Sequence, residues 1–183
     1  ISIPTTSPDE TIPAIIAYFK DKDIAALGIA CFGPIDLHKS SPTYGYITST
    51  PKVKWQNYPI LPVIEKALSV PAGFDTDVNG SLLGEVSFGS SRGLENAVYI
   101  TIGTGIGGGV LSNGKLLHGM LHPELGHMIL VPHEKDHFQG ICPFHKNCFE
   151  GMASGPAMEA RYGKKADSLS GVPLVWEIEA YYI

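Results

Sequence analysis

The segment Cys142-Pro143-Phe144-His145-Lys146-Asn147-Cys148 sets two thiols and an imidazole three residues apart. Thiolate and imidazole together select zinc over magnesium or calcium, and a closed structural zinc takes four ligands. His118, His122, His127, His133 and His137 crowd the thirty residues upstream. His127, His133 and His137 are the candidates for the fourth ligand, and spacing does not rank them.

Three further stretches carry residue types that could do chemistry. YITIGTGIGGGV (99–110) holds five glycines between 103 and 109. Glycines after a strand let backbone N–H groups approach phosphate oxygens with no Cβ in the way, and Thr104 can add a hydroxyl. No Gly-Lys-Ser/Thr follows, so the run is not a P-loop; a tightly packed glycine turn is the plain alternative. DTDVNG (75–80) places Asp75 and Asp77 at the end of a strand, where α/β sheets bind their ligands. A carboxylate there can take the proton of a hydroxyl that attacks phosphorus, or one Asp can simply cap the next helix. Spacing does not choose between the two aspartates. HPELGH (122–127) sets Glu124 and His127 at i, i+3, suited to polyol hydroxyls or to nothing more than a solvated loop.

These residues need elements to position them. SPDETIPAIIAYFKDK predicts a helix with a capping box, Ser7 to Glu10, and Pro8 at its first position. IAALGIACF (24–32) predicts a buried strand ending at Gly33-Pro34, with Cys31 a buried unreactive thiol. A long loop to about residue 58 precedes a short helix in LPVIEKAL, a strand over 72–76 and a helix from DVNGSLLGEVSFG. NAVYITIG (96–103) predicts a strand, and GGGVLSNGKLL a hairpin turning on Asn113-Gly114. Strands alternate with helices, so a parallel or mixed sheet with covering helices is expected. The 119–150 region has little periodicity, which points to function or a metal staple.

The bulk numbers bound the function. At 183 residues the chain can form one domain or one and part of another, and its formal net charge of −5 argues against nucleic acid as the main partner. No apolar run reaches the length of a membrane span, and ISIPTTSPDE has no signal-peptide pattern. Three cysteines, two of them in a ligand-like cluster, fit a reducing, cytoplasmic compartment. The chain lacks an initiator Met and ends on VWEIEAYYI, which reads as a helix in mid-course, so a fragment is expected.

In order along the chain, GIACFGPID, DTDVNGSLLGE, TIGTGIGGGV, HGMLHPELGHM and CPFHKNCFEGMASGPA resemble the repressor–open-reading-frame–kinase (ROK) family of sugar kinases, and within it the bacterial fructokinases. The resemblance implies an α/β, actin-like and ribonuclease-H-like fold, incomplete at both ends. Residues 1–100 would form most of the N-terminal domain, and 101–183 the start of the C-terminal one. It selects Asp77 over Asp75 as general base for transfer of the ATP γ-phosphate to fructose. Gly103, Thr104, Gly105 and Gly107 match the phosphate loop. Asn79, Glu124, His127 and Glu150 match sugar-contacting positions. The zinc ligands become His127, Cys142, His145 and Cys148, with His127 also facing the sugar. Magnesium accompanies ATP, and a homodimer without nucleic-acid or membrane partners is expected.

The departures carry information as well. Thr76 stands where the family carries Asn before the catalytic Asp, and Lys52 replaces the Asn of a Thr-Pro-Asn motif. Both changes, with the Cys-x-x-His-x-x-Cys spacing, agree with the fructokinase branch. The first phosphate loop and the adenosine-binding portion are missing, so the chain alone is not expected to phosphorylate a sugar. The rivals are another hexose kinase of the family, for glucose, mannose or an N-acetyl amino sugar, and a sugar-sensing repressor.

Overall fold

The computed structural model describes residues 1–119 and 122–183; Met120 and Leu121, inside HGMLHPELGHM, lie outside the described residues. The chain divides into two compact units. One comprises Ile1–Leu94 with Leu116–His122, the other Glu95–Lys115 with Pro123–Ile183.

The first unit is built on a parallel pair, β1 (Leu27–Cys31) and β2 (Ala72–Thr76), in register from Leu27–Ala72 to Cys31–Thr76. Helix α1 (Pro8–Lys20), helix α2 (Ile60–Leu68) and helix α3 (Asp77–Phe88) belong with it. Ile12, Cys31, Ile35, Ile47, Trp55, Ile60 and Ile64 form its core. Two sequence expectations change in detail. The strand predicted over 24–32 shortens to five residues, because only Ile29 and Leu27 alternate inward ahead of buried Cys31. The capping box does not form: Ser7 occupies the cap position without a side-chain bond. Thr6 Oγ1 instead donates to Glu10 at 2.5 Å, and Thr11 Oγ1 accepts the Thr6 N–H at 3.1 Å.

Strand β2 runs directly into α3. Thr76, and neither aspartate, caps the helix by accepting the Asn79 N–H at 3.2 Å. The helix lies so close to β1 that a Cβ on Gly80 would sit 2.5 Å from the Ala30 Cβ, a separation only glycine permits.

The second unit holds an antiparallel sheet in the order β3 (Ala97–Ile102), β4 (Ile106–Ser112), β5 (Lys115–Leu116). Parallel and antiparallel pairing thus fall in separate sheets among the described residues. Asn113 (φ 49°) and Gly114 (φ 71°) both lie in the left-handed region that the predicted two-residue hairpin turn requires. Helices α4 (Phe149–Ala153), α5 (Gly155–Tyr162) and α6 (Pro173–Tyr182) complete it. Ile106, Phe149, Met152, Ala153, Ile178 and Tyr182 form the larger apolar cluster. Buried beside it, the Arg161 guanidinium bonds Glu179 at 2.6 Å and the Met152 carbonyl at 2.6 Å, and pairs with Asp136 at 3.2 Å. Burial pushes the Glu179 carboxyl up, and Arg161 only partly offsets it.

Candidate functional site

The two aspartates, equivalent by spacing, have different surroundings. Asp75 sits on β2, and its Oδ1 accepts the Thr76 N–H at 2.7 Å and the Asn79 Nδ2 at 2.8 Å. Its Oδ2 lies 2.8 Å from His118 Nε2. Both oxygens of Asp75 are therefore engaged. Asp77 is the first residue of α3, exposed, with Oδ1 accepting only the adjacent Val78 N–H at 3.0 Å. Asn79 is fully buried, its Nδ2 committed to Asp75. Cys31, at the end of the neighbouring strand, has its thiol pushed up to about 12 by burial first and by the Asp77 charge second. Lys52 lays its ammonium 3.6 Å from the centroid of the Phe32 ring.

In the second unit the glycine run divides into a turn and a strand. Gly103, Thr104 and Gly105 form the β3–β4 turn, closed by the Gly103 N–H to the Gly105 carbonyl at 2.9 Å. Gly107 is already in β4, opposite Thr101. Glu150 braces this turn: its Oε2 accepts the Ile106 N–H at 2.9 Å. A Cβ on Gly105 would lie 2.8 Å from that same oxygen, so glycine is needed where the carboxylate approaches. The Gly155 N–H, at the start of α5, bonds the Gly103 carbonyl at 2.8 Å. Between them opens a cavity of about 390 Å³ whose lining includes Gly103, Thr104, Gly155, Pro156 and Lys165. The sequence alone did not mark Gly155, Pro156, Lys165 or the acids Glu159 and Asp167 as lining this cavity. The signal was present, since Ser154 followed by Pro156 is a helix-start pattern, and Ser154 Oγ does accept the Ala157 N–H at 3.3 Å.

The four cluster residues converge. One ligand atom from each of His127, Cys142, His145 and Cys148 lies within 4.8 Å of every other. Cys142 Sγ is 4.0 Å from His127 Nδ1 and 3.9 Å from His145 Nδ1, and Cys148 Sγ is 3.6 Å from His127 Nδ1. Tetrahedral zinc with bonds of 2.0–2.3 Å separates its ligand atoms by about 3.3–3.8 Å, so the two thiols and two imidazoles are the right donor set for zinc and would close in by a few tenths of an ångström, or up to about 1 Å for the widest pair, to hold it. His133 and His137, the other candidates, stand outside this group. Burial raises the Cys142 thiol, but the backbone N–H groups of His145 and Phe144 together with the Cys148 side chain outweigh it and the net shift is downward. Burial dominates at Cys148, which is shifted up. His127 presents Nδ1 to the sulfurs, which leaves Nε2 on the other side of its ring. Glu124, at φ 48°, opens the three-residue turn Leu125–His127 that carries the histidine. A non-glycine residue in that conformation marks a locally determined backbone.

The chain as a whole is similar to known proteins. A sequence profile of the ROK family matches residues 1–179. The chain belongs to the ROK family. A fructokinase of Lactococcus lactis is 49% identical over 180 residues, covering 98% of this chain and 61% of that protein. A fructokinase of Streptococcus mutans is 47% identical over 188 residues, covering all of this chain and 64% of that protein. Among solved structures, a ROK hexokinase from Thermus thermophilus superposes with a TM-score of 0.77 at 27% identity, over all of this chain and 65% of its own. The chain therefore has the actin-like ATPase fold of the ROK sugar kinases. It spans less than two thirds of the length of these relatives.

Proposed function

We propose that the intact protein is an ATP-dependent fructokinase, forming fructose 6-phosphate. The observation that carries this reading is Asp77: a carboxylate at the carboxyl end of a strand, exposed and bonded only to the adjacent Val78 N–H, while its twin Asp75 is consumed by three partners. Identity of 47–49% to fructokinases supports the choice of sugar. Retention of Asp77 and the acidic net charge favour kinase over DNA-binding repressor.

In this reading an Asp77 oxygen takes the proton of the fructose 6-hydroxyl. The hydroxyl oxygen forms a bond to the γ-phosphorus in line as the bond to the ADP oxygen breaks. The phosphates are assigned to the glycine run at Gly103, Thr104, Gly105 and Gly107, in which the Gly103 N–H closes the turn itself and Gly107 already belongs to β4, with the N-terminus of α5 as a further source of N–H groups. Asn79, Glu124, His127 and Glu150 are assigned to the sugar, Glu150 also bracing the turn. Magnesium supplies charge neutralisation on the phosphates, and zinc held by His127, Cys142, His145 and Cys148 is structural. On the family resemblance we also assign residues 1–100 and 101–183 to the two family domains, and read the protein as a cytoplasmic homodimer.

A coupled ADP-release assay of the intact protein across a hexose panel tests the assignment, with Asp77→Asn alongside. Fructose should give the highest kcat/KM, and the variant should lose roughly 10²–10⁴-fold in kcat. Wild-type turnover in the variant removes Asp77 from the role of base. Preference for glucose, mannose or an N-acetyl amino sugar moves the protein to another branch.

A further inference from the structure

The turn that carries Asp77 is fastened by residues outside the proposed chemistry. One oxygen of Asp75 accepts the Thr76 backbone N–H at 2.7 Å and the Asn79 side-chain amide at 2.8 Å. Thr76 and Asn79 are the residues between which Asp77 is set, and Thr76 also caps the helix that Asp77 begins. A single carboxylate oxygen therefore ties both shoulders of the turn. The other oxygen meets His118 Nε2 at 2.8 Å, 43 residues on in the chain. That nitrogen must carry the proton, because Asp75 accepts and never donates when ionised. The 3.4 Å approach of Asn79 Nδ2 to the same nitrogen is then a contact between two donors, and the amide hydrogen goes to Asp75.

Packing does not force His118 into place. Its side chain is 39% exposed, against 21% for Asp75. The pair forms part of the wall of a cavity of about 380 Å³, together with Lys39, Tyr44 and Phe74. The ring has room to leave, so the hydrogen bond itself holds it on the carboxylate. A partly exposed pair of this kind contributes little to stability. Its geometric effect is larger: without its second anchor, Asp75 can rotate and release Thr76 and Asn79 together.

We propose that Asp75 and His118 are a positioning pair that fixes the orientation of Asp77 for proton abstraction. The proposal rests on Asp77 as the base of the reaction given above. Neither residue touches the reacting atoms. His118 lies on the second stretch of the first unit, so the pair also ties that stretch, at His118, to the turn bearing the base.

The test is steady-state kinetics of the intact protein, with whichever hexose the wild type turns over best. His118→Ala, His118→Gln, Asp75→Asn and the double variant Asp75→Asn/His118→Ala are compared with Asp77→Asn. A small misplacement of a catalytic group costs up to about a hundredfold. His118→Ala should therefore lose roughly tenfold to a hundredfold in kcat with KM for ATP nearly unchanged, with any rise in sugar KM through the released Asn79 smaller than the fall in kcat, and with the wild-type melting temperature. His118→Gln, which restores a donor, should recover most of the loss. The double variant should be no slower than the worse single one, because the pair acts as a unit. Wild-type kcat in His118→Ala, no rescue by Gln, an effect on KM alone, or additive losses in the double variant would each overturn the pair. If Asp75→Asn fails to fold, the two His118 variants decide. Should Asp77→Asn stay active, the base assignment fails independently of the pair; absence of any wild-type turnover sinks both.

Discussion

Residue chemistry in this chain is decided by neighbours more than by residue type. Asp75 and Asp77 are the same side chain two positions apart, yet one is saturated with donors and the other faces solvent with one local bond. Cys31 shows the same rule in the first unit. It is a thiol like Cys142 and Cys148, but burial and then the Asp77 charge push it up to about 12. A thiol held that high carries almost no thiolate at pH 8, and only the thiolate is nucleophilic. Iodoacetamide at pH 8 should leave Cys31 unlabelled in the folded protein and label it in denaturant, as read by peptide mass spectrometry. Asp77→Asn should not expose it to reagent, because burial is the larger cause; rapid labelling of that variant would show the cause to be misassigned. The inert character of Cys31 was legible from its apolar run. The choice between the aspartates was not, because spacing reports separation and not which donors fold back onto each carboxylate. The family resemblance favoured Asp77, and the bonding pattern supplies a physical reason.

At the scale of elements, most boundaries followed from local chemistry. β2 over 72–76, α3 directly behind it and the Asn113-Gly114 turn are each written in a short pattern. The failures were long-range or competitive. The Glu10 carboxylate accepts from the Thr6 hydroxyl instead of reaching back to the Ser7 backbone N–H, so the Ser7 box did not close. Glu150 reaches Ile106, 44 residues away, a contact no local pattern encodes. That contact joins two elements: α4, capped by Cys148 of the metal cluster, and the turn assigned to phosphate. Glu150→Ala should leave the Ile106 N–H without its acceptor, at a stability cost of about 1–3 kcal/mol. It should also raise KM for ATP as well as for sugar. Glu150→Gln keeps an acceptor oxygen and should spare the nucleotide KM. Denaturant melts and two-substrate kinetics check both. An Ala variant with unchanged KM for ATP would restrict Glu150 to the sugar.

For the molecule as a whole, the two units have separate apolar cores and separate reasons to hold together. The first rests on an isoleucine-rich core around Trp55. The second combines the Phe149–Met152–Tyr182 cluster with a buried Arg161 network and a stretch, 123–148, that has little regular structure. Such a stretch cannot offset its conformational entropy by regular hydrogen bonding alone, and on the proposed reading a zinc held by the four convergent side chains provides the missing constraint. Metal bound to the native state and not to the unfolded chain stabilises by mass action, and its removal withdraws that stabilisation only where the ligands are. Purified protein should contain about one zinc per chain by elemental analysis. After chelation, amide exchange should quicken across 123–155 and, through Glu150 and Ile106, in the 103–107 turn. Exchange in β1, β2 and α2 should be unchanged, because their core contains none of the ligands. Uniform acceleration over the whole chain would mean that the metal supports both units. Chelated protein with unchanged exchange in the turn would leave the metal a local staple, uncoupled from the phosphate-facing backbone.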